Sequence, residues 1–329
     1  MGPVGRRDFG RGVLGVASGL TGAALGPAIV RAQDFPARQV RVVVPYPPGG
    51  ATDIVARVVI PRLAERWKQT VIIDNKAGAS GVIGSEIVAR SPPDGYTLLL
   101  MTNAHTINPN FSKKLPYDTE RDFTPITMVV AVSGTIVGST KAGFDSMEKF
   151  LAAARASPGK YQFGSTENTS RIAGELFRLR SGLQIENVAY RGGAPMIQEL
   201  VGGHIPVGFT SPPSVMALHR AGTLRMLAVT SEHRLAVLPD VPTMAEVGVP
   251  GVNRPGWFSL FGPSGMLPAL TQRIRDDVVA VLAEPEVLSK IRELAGKPGG
   301  EEPEAFAHRV KAELALWRET AKAAGIEPE

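Results

Sequence analysis

Short β-branched segments alternate with helical patterns along this chain, and the alternation limits the folds that the chain can adopt. Val40–Val44 reads VRVVV, which is typical of a strand covered on both faces. Between Thr52 and Leu63 apolar residues recur at helical spacing, and residues 70–73 form the next β-branched run. A strand, a helix and a second strand within about 30 residues indicate a parallel βαβ unit.

The same rhythm continues into the C-terminal third of the chain. Three late helical patterns begin near Pro268, Pro285 and Pro303, where proline suits the first turn of a helix. Because the units cluster on either side of residue 133, we expect an α/β fold of two lobes, each a mostly parallel sheet flanked by helices. The other predicted strands are residues 97–101, 161–163, 188–190, 207–209 and 224–229, and the other predicted helices are residues 81–90, 172–181 and 194–201.

The first residues have the composition of an export signal. Arg6 and Arg7 stand in a basic leader, residues 13–30 are apolar, and small residues close the segment at Ala32. We therefore expect residues 1–32 to be a twin-arginine signal, cleaved near Ala32, that directs the protein to the periplasm. The alternative is a retained N-terminal membrane anchor.

Charge and composition exclude several functions for the rest of the chain. Residues 1–32 hold four arginines and one aspartate, so the formal net charge falls from +5 to +2 without them. A nearly neutral chain without a basic stripe and interleaved aromatic residues is not typical of a nucleic-acid binder. The chain has no cysteine, so an exported form depends on its hydrophobic core, and about 300 residues suffice for two domains.

The segment after the first strand has the features of an anion-binding corner. The carboxyl ends of parallel strands gather at one edge of a sheet, and a helix that begins there directs its free N–H groups into the cleft. Pro47 and Pro48 stiffen this corner, and Gly49 and Gly50 let the backbone approach a ligand closely. Thr52 can cap the helix or bind the ligand. The alternative is a turn that simply ends the strand.

Similar corners follow most of the predicted strands, so small hydroxyl residues, glycines and helix starts are expected to converge from both lobes. Such a cleft suits a small anion better than it suits catalysis. These corners supply Thr102 and Asn103 after the third strand, then Ser165, Thr166, Asn168 and Thr169, then Arg191, Gly192, Gly193 and Ala194, and finally Thr210.

The segments that carry these corners resemble a known family. PYPPGGATDIVAR at residues 45–57, PDGYTLLL at 93–100, AYRGGAPMIQELVGGHIPVGF at 189–209 and LRMLAVTSEHRLAVLPDVPTMAEVGVPG at 224–251 are similar to segments of the solute receptors of tripartite tricarboxylate transporters, the Bug-type periplasmic binding proteins. The resemblance implies a two-lobed type II periplasmic binding fold that closes on its ligand. Lobe one would comprise residues 33–132 and 250–329, and lobe two residues 133–249.

The resemblance also implies a function and a site. The protein would capture a small organic carboxylate between its lobes and deliver it to the membrane subunits of a transporter, as a monomer and without catalysis, metal or cofactor. Lobe-two backbone and hydroxyl donors would hold one carboxylate. The residues expected to bind the ligand are Tyr46, Pro47, Gly49, Gly50, Thr52, Asp53, Thr102, Asn103, Ser133, Ser165, Thr166, Asn168, Thr169, Arg171, Arg191, Gly192, Gly193, Ala194 and Thr210.

The chain departs from the family pattern at residues 166–171. Family members usually carry a Gly/Ser-rich loop followed by histidine, where this chain reads TENTSR. Arg171 could form a bidentate pair with a carboxylate. Glu167 would repel a dianion, or could meet an amino or hydroxyl group of the ligand. Alternatively, Glu167 and Arg171 pair with each other along the helix surface. The departure leaves open which carboxylate is bound.

Two other classes of protein are alternatives. A serine hydrolase requires a Gly-x-Ser-x-Gly elbow or an equivalent Ser, His and acid grouping, and neither Ser80 nor Ser165 has that context. His105 is expected to line the cleft as a polar residue rather than to act in catalysis. A ligand sensor that presents its closed form to a membrane signalling protein would share the same binding physics, and the sequence does not separate it from a transport receptor.

Overall fold

The described residues form two β-sheets with helices on their faces, in a computed structural model that describes residues 35–252, 256–323 and 325–328. The predicted export signal at residues 1–32 lies outside these ranges. In chain order the strands are β1 (Val40–Val44), β2 (Val71–Asn75), β3 (Thr97–Thr102), β4 (Phe123–Val132), β5 (Thr135–Ser139), β6 (Gln162–Ser165), β7 (Glu186–Ala189), β8 (Val207–Thr210), β9 (Leu224–Val229), β10 (Gly256–Pro263) and β11 (Lys297–Pro298).

The helices follow most of the parallel strands, and a group of three ends the chain. Among the described residues, none of these helices has both the length and the apolar character needed to cross a bilayer. They are α1 (Ala51–Trp67), α2 (Val82–Ala89), α3 (Ala104–Ile107), α4 (Met147–Ala156), α5 (Asn168–Ser181), α6 (Gly193–Gly202), α7 (Pro212–Arg220), α8 (Pro268–Leu282), α9 (Pro285–Glu293) and α10 (Pro303–Ala323).

The first sheet has the strand order β11-β4-β10-β3-β1-β2. Strand β1 pairs in parallel with β2 and β3, whereas β10 pairs antiparallel with both β3 and β4. Strands β1, β2, β3 and β4 therefore share one direction. The late strand β10 returns from the second sheet and inserts between β3 and β4, so the C-terminal helices pack on the first sheet.

The second sheet has the order β7-β6-β8-β5-β9. Strands β6, β7 and β8 are parallel, and β5 is antiparallel to both β8 and β9. Four of the five strands described in this sheet therefore run in one direction. The chain enters the sheet from Val132 through Ser133 and Gly134 to Thr135. The expected architecture, two lobes with mostly parallel sheets, is confirmed.

Each face of the first sheet is covered by helices, as the valine run of β1 predicts. Val42 belongs to a core cluster with Leu63 of α1 and Ile274 of α8. Val43, its neighbour in the strand, belongs to the cluster on the other face with Phe306 of α10. Successive side chains of a strand point to opposite faces, so a continuous run of valines is buried only where both faces are packed.

Most predicted boundaries differ from the structure by one to three residues, but one helix start differs by more, and several elements, among them β4, β5, β10, α4 and α7, were not predicted. Helix α5 begins at Asn168 rather than at residue 172, because the Glu167 side chain and Ser170 form a capping box at its start. Strand β4 is not among the predicted strands, since Pro125 lies inside it and proline usually interrupts a sheet ladder. Pro125 is accommodated at a register shift opposite Phe261.

A buried carboxylate joins the N-terminal and C-terminal segments of the first lobe. Asp277 of α8 accepts hydrogen bonds from Arg66 Nε at 2.6 Å, Trp67 Nε1 at 2.8 Å and Arg273 Nε at 2.9 Å. Burial alone would raise the pKa of Asp277, but these hydrogen bonds outweigh burial and the pKa is lowered. The charge is therefore retained inside the protein, where it holds α1 against α8.

We expect Asp277→Asn to lower the free energy of unfolding by about 2 kcal/mol, because it removes a buried charge that accepts hydrogen bonds from the buried Trp67 and from two partly exposed arginines. Asp276→Asn is the matched control, since its neighbouring carboxylate is exposed and pairs at the surface with Arg275; its expected change is within about 0.5 kcal/mol. Urea unfolding of both variants tests this. Equal stability of the two variants would contradict the role given to Asp277.

Candidate functional site

The corner between β1 and α1 is built around a buried aspartate. Asp53 accepts hydrogen bonds from Gly49 N at 2.9 Å, Arg57 Nε at 2.8 Å and Asn75 Nδ2 at 3.2 Å. Burial would raise the pKa of Asp53, but the hydrogen bonds from Arg57, Gly49 and Asn75 outweigh it and lower the pKa. Asp53 therefore holds the backbone of the corner in place.

The corresponding corner of lobe two lies directly against this one. Gly192, with φ of +132°, precedes α6, and a Cβ placed on it would lie 2.6 Å from Pro47 Cδ. A Cβ on Gly50 would lie 4.0 Å from the backbone nitrogen of Gly193. The two glycine-containing corners can approach each other this closely because no side chains separate them.

Polar side chains join the two lobes beside these corners. The Thr102 hydroxyl, at the end of β3, donates to Glu167 Oε2 of lobe two at 2.9 Å, and Tyr46 Oη lies 3.0 Å from Thr102 Oγ1. Thr169 Oγ1 donates to Asn103 Oδ1 at 3.2 Å, one residue further along. Since the Thr102–Glu167 and Thr169–Asn103 hydrogen bonds cross the cleft, the structure represents a closed arrangement of the lobes.

Glu167 is the acidic group at this junction. Burial raises the pKa of Glu167, and the hydrogen bonds from Tyr46 and Thr102 offset part of that effect. Burial and the nearby Glu167 charge both raise the pKa of Tyr46. The phenol therefore stays protonated and available as a donor, so a short chain of hydroxyl groups connects β1 and β3 to the start of α5.

A cavity of about 50 Å³ lies between the lobes, next to this junction. Both lobes contribute to it, and most of its polar groups are hydroxyls. Its lining consists of Thr102, Asn103, Val132, Ser133, Gly134, Thr135, Glu167, Thr169, Ser170, Ala173, Phe209, Thr210, Ser211, Thr230, Gly256, Trp257, Phe258 and Trp317.

The structure brings five of the residues predicted to bind a ligand into the lining of this cavity. They are Thr102, Asn103, Ser133, Thr169 and Thr210. A second set borders the closed junction of the two corners without lining the cavity, and consists of Tyr46, Pro47, Gly49, Gly50, Thr52, Asp53, Gly192, Gly193 and Ala194. The strand-end corners therefore do converge from both sheets.

The remaining predicted residues lie near the cleft but make other contacts. Ser165 is buried at the end of β6, and the backbone N–H of Thr166 donates to Ser170 Oγ. Asn168 Nδ2 donates to Asn108 Oδ1 at 2.9 Å, which adds a further contact between the lobes.

The two predicted arginines are not brought together at the cavity. The Arg171 guanidinium lies over the Phe111 ring, 4.9 Å from its centroid, and the Glu167 carboxylate accepts hydrogen bonds from Thr102 and Tyr46. Arg191 is exposed to solvent.

Several residues of the lining were not predicted. Thr135 begins β5 and Thr230 follows β9 at the crossing between the lobes, where Gly134 N donates to Thr230 Oγ1 at 2.9 Å. Thr135 was missed because β5 was not predicted. Trp317 comes from α10, near the C-terminus. Trp317 lies four residues after Glu313, so both residues share one helix face. This spacing is the sequence feature that could have related Trp317 to the site.

Trp257 both lines the cavity and packs in the core. Its Nε1 donates to the Glu313 carboxylate at 2.9 Å. Thr106 Oγ1 also donates to Glu313, at 3.2 Å. Burial raises the pKa of Glu313, and the hydrogen bonds from Trp257 and Thr106 offset part of that effect. Trp257 is thereby fixed in orientation where it forms part of the cavity wall.

The expectation for His105 was wrong. His105 belongs to α3 and has no exposed surface, with ring centroids 4.5 Å from Phe123 and 4.7 Å from Phe261. The loop after β3 turns its histidine into the core rather than into the cleft. Burial lowers the pKa of His105 to about 3, so the ring is neutral at physiological pH.

Two α/β lobes that touch across a cavity lined by hydroxyl groups from both are typical of two-lobed solute-binding receptors. The chain belongs to the tripartite tricarboxylate transporter receptor family, whose sequence model matches residues 55–319. It is a Bug-type member, as the sequence resemblance indicated. Receptors of this family are periplasmic solute-binding proteins rather than enzymes.

Relatives and solved structures agree with this assignment. The chain is 36% identical to protein BugT of Bordetella pertussis over 262 residues, which cover 78% of this chain and 79% of BugT. It matches R. palustris Rpa4515, solved with adipate, with a TM-score of 0.87 at 35% identity over 90% of this chain and 100% of that one. It matches MatC of Rhodopseudomonas palustris, solved with bound malate, with a TM-score of 0.82 at 25% identity over 87% of this chain and 99% of that one.

Proposed function

We propose that this protein captures a small organic carboxylate between its lobes and delivers it to a tripartite tricarboxylate-type membrane transporter. The observation that carries the proposal is the hydroxyl-lined cavity to which both lobes contribute. Hydroxyl groups and backbone N–H groups are the donors that a carboxylate accepts. The similar proteins Rpa4515 and MatC were solved with adipate and malate, which supports a carboxylate as the ligand class.

The lobes of the receptor would be residues 33–132 with 250–329, and residues 133–249. Residues 1–32 would act as a twin-arginine export signal cleaved near Ala32, and the mature protein would work in the periplasm as a monomer. Its membrane partners would be the transporter subunits that accept the closed form. The protein would perform no covalent chemistry on its ligand.

Ligand binding would act on the equilibrium between open and closed lobes. Thr102 and Asn103 reach the cavity from lobe one, whereas Thr169 and Thr210 reach it from lobe two. A ligand that contacts both sides at once stabilises the closed form over the open form, and the size of the shift equals its difference in affinity for the two states. The segment Ser133-Gly134 between the sheets is where the chain would flex.

A thermal-shift screen of the exported form against aliphatic and aromatic mono-, di- and tricarboxylates, followed by titration calorimetry of the best ligand, tests this function. At least one acid is expected to bind with Kd of about 1 μM or below, which corresponds to about −8 kcal/mol. A screen in which uncharged analogues such as amides bind as well as the acids would contradict the proposal.

A hydroxyl of the cavity provides a residue-level test. Thr210→Val keeps the side-chain shape but removes one donor, so we expect the affinity for the best acid to fall about 3- to 10-fold. Thr223→Val is the control. Thr223 precedes β9, whereas the cavity-lining Thr230 follows it, so the two threonines lie at opposite ends of this strand. Calorimetry should show unchanged binding for the control, and an equal loss in both variants would argue against a role of the Thr210 hydroxyl.

A further inference from the structure

Glu167 occupies an unusual place for an acidic residue in a site that receives anions. It is the charged side chain in the cavity lining within the part of the chain that the structure describes, since the other lining residues are apolar or neutral polar. It stands directly before α5, where its side chain accepts the backbone N–H of Ser170. The acid is thus anchored at the cavity wall.

The groups that surround the Glu167 carboxylate are hydrogen-bond donors. Thr102 Oγ1 accepts a hydrogen bond from the backbone N–H of Ala104 at 3.2 Å, which leaves its own proton for Glu167 Oε2 at 2.9 Å. Ser170 N–H is a second donor to the carboxylate. The Tyr46 hydroxyl, 3.0 Å from Thr102 Oγ1, also interacts with Glu167 and favours its ionised form. An ionised carboxylate offers about four acceptor positions. The arrangement therefore fits the ionised form and leaves acceptor capacity for a donor supplied by the ligand.

A carboxylate placed beside this group would meet a like charge in a partly desolvated site. Like charges in such surroundings disfavour each other, whereas an ammonium group would gain a charge-assisted hydrogen bond. A site discriminates between ligands through repulsion of the wrong one as well as attraction of the right one. Glu167 repels a ligand whose terminal group is a carboxylate and attracts a matched ligand whose terminal group is an ammonium group.

We propose that Glu167 determines ligand specificity, an inference that rests on the proposed function. The receptor selects carboxylates that also carry an ammonium group, and it rejects dicarboxylates of matched length. The ligand carboxylate is held by hydroxyl donors such as Thr210 and Ser133, and its ammonium group binds Glu167. The natural ligand class is accordingly a zwitterionic amino acid.

Two matched ligand pairs test this inference by titration calorimetry at pH 7. 5-Aminopentanoate replaces one carboxylate of adipate by an ammonium group, and glutamate adds an ammonium group to glutarate. The parent protein is expected to prefer the ammonium ligand in at least one pair. Glu167→Gln, which keeps the side-chain shape and can still cap α5, should reduce that preference by about 10- to 100-fold, the range for a hydrogen bond to a charged group.

Glu175→Gln is the matched control, because Glu175 lies on the same helix, pairs with Arg178 and does not line the cavity. It should leave the ligand preference unchanged. The midpoint of thermal unfolding without ligand, compared for all three proteins, distinguishes altered binding from altered folding.

Each other outcome overturns the inference in a recognisable way. If the parent prefers dicarboxylates and Glu167→Gln binds them more weakly, Glu167 acts as a protonated donor to a second carboxylate, and only the proposed function stands. An equal preference in parent and Glu167→Gln removes the specificity role while carboxylate binding itself is retained. If the parent binds neither these four ligands nor any acid of the screen, the proposed function fails together with the inference.

Discussion

Gly192→Ala is expected to weaken binding of the best acid at least about 100-fold, a loss of about 2.7 kcal/mol. The added Cβ would lie 2.6 Å from Cδ and 2.8 Å from Cγ of Pro47, which belongs to the opposite lobe. Contacts this short do not occur between real side chains, so the lobes must stay further apart. Because closure is what lets a ligand contact both lobes, a variant that cannot close loses most of its affinity.

The control is Gly50→Ala, the same substitution on the lobe-one side of this contact. Gly50 has an ordinary φ of −76°, and a Cβ on it meets Pro47 O at 3.5 Å and Gly193 N at 4.0 Å. These are normal contact distances, so Gly50→Ala should change the affinity less than about threefold, or about 0.6 kcal/mol. The pair therefore compares one methyl group added on each side of a single interface.

Gly192 also has a backbone conformation that side chains rarely adopt, and strain of this kind costs about 1–3 kcal/mol. The double variant Pro47→Ala with Gly192→Ala separates the two causes, since it removes Cγ and Cδ of Pro47. Recovery of at least tenfold in affinity would assign the loss to the contact between the lobes. Binding of Gly192→Ala within threefold of the parent would show that the corners do not touch in the ligand-bound state.

The regular parts of this fold could be predicted from the sequence because their signals are local. The valine run of β1, the helical spacing after Thr52 and the prolines at three helix starts depend only on neighbouring residues, and each lies where predicted. The corner at Gly49 and Gly50 was also predictable. Glycine, proline and a strand end form a pattern with one physical meaning in a parallel sheet.

Other parts of the site depend on contacts between residues far apart in the sequence. The TENTSR segment shows an acid and an arginine four residues apart, a spacing that favours a helix-surface pair. The Glu167 carboxylate instead accepts from Thr102, 65 residues away, because β3 ends opposite the start of α5. Trp317 reaches the cavity only because β10 returns the chain to the first lobe. Local patterns do not contain these distances.

The second large effect concerns His105, which is expected to make the protein sensitive to acid. Its pKa is lowered from 6.5 to about 3 by burial among aromatic rings. Both ring nitrogens lack hydrogen-bond partners among the described residues. Between these two pH values the unfolded chain binds a proton that the folded chain does not bind. The contribution of His105 to the free energy of unfolding is therefore complete above pH 6.5 and decreases as the pH falls toward 3.

The decrease is about 1.4 kcal/mol for each pH unit within this window, or about 2 kcal/mol at pH 5 relative to pH 8. His105→Leu should lose this component and retain or gain stability at pH 8, since it also removes two unpaired polar atoms from the core. His105→Gln should lose the pH-dependent component too, but it keeps a buried polar group and so should be less stable than the parent at pH 8.

Urea unfolding of the parent and both variants at pH 8, 6 and 5 checks this prediction. All other titrating groups, including the buried Glu167 and Glu313, are common to the three proteins, so their contributions cancel in the differences. The gap between His105→Leu and the parent should widen steadily as the pH falls. A gap that stays constant from pH 8 to pH 5 would mean that His105 becomes protonated in the folded state, and that its ring is not enclosed as the packing against Phe123 and Phe261 requires.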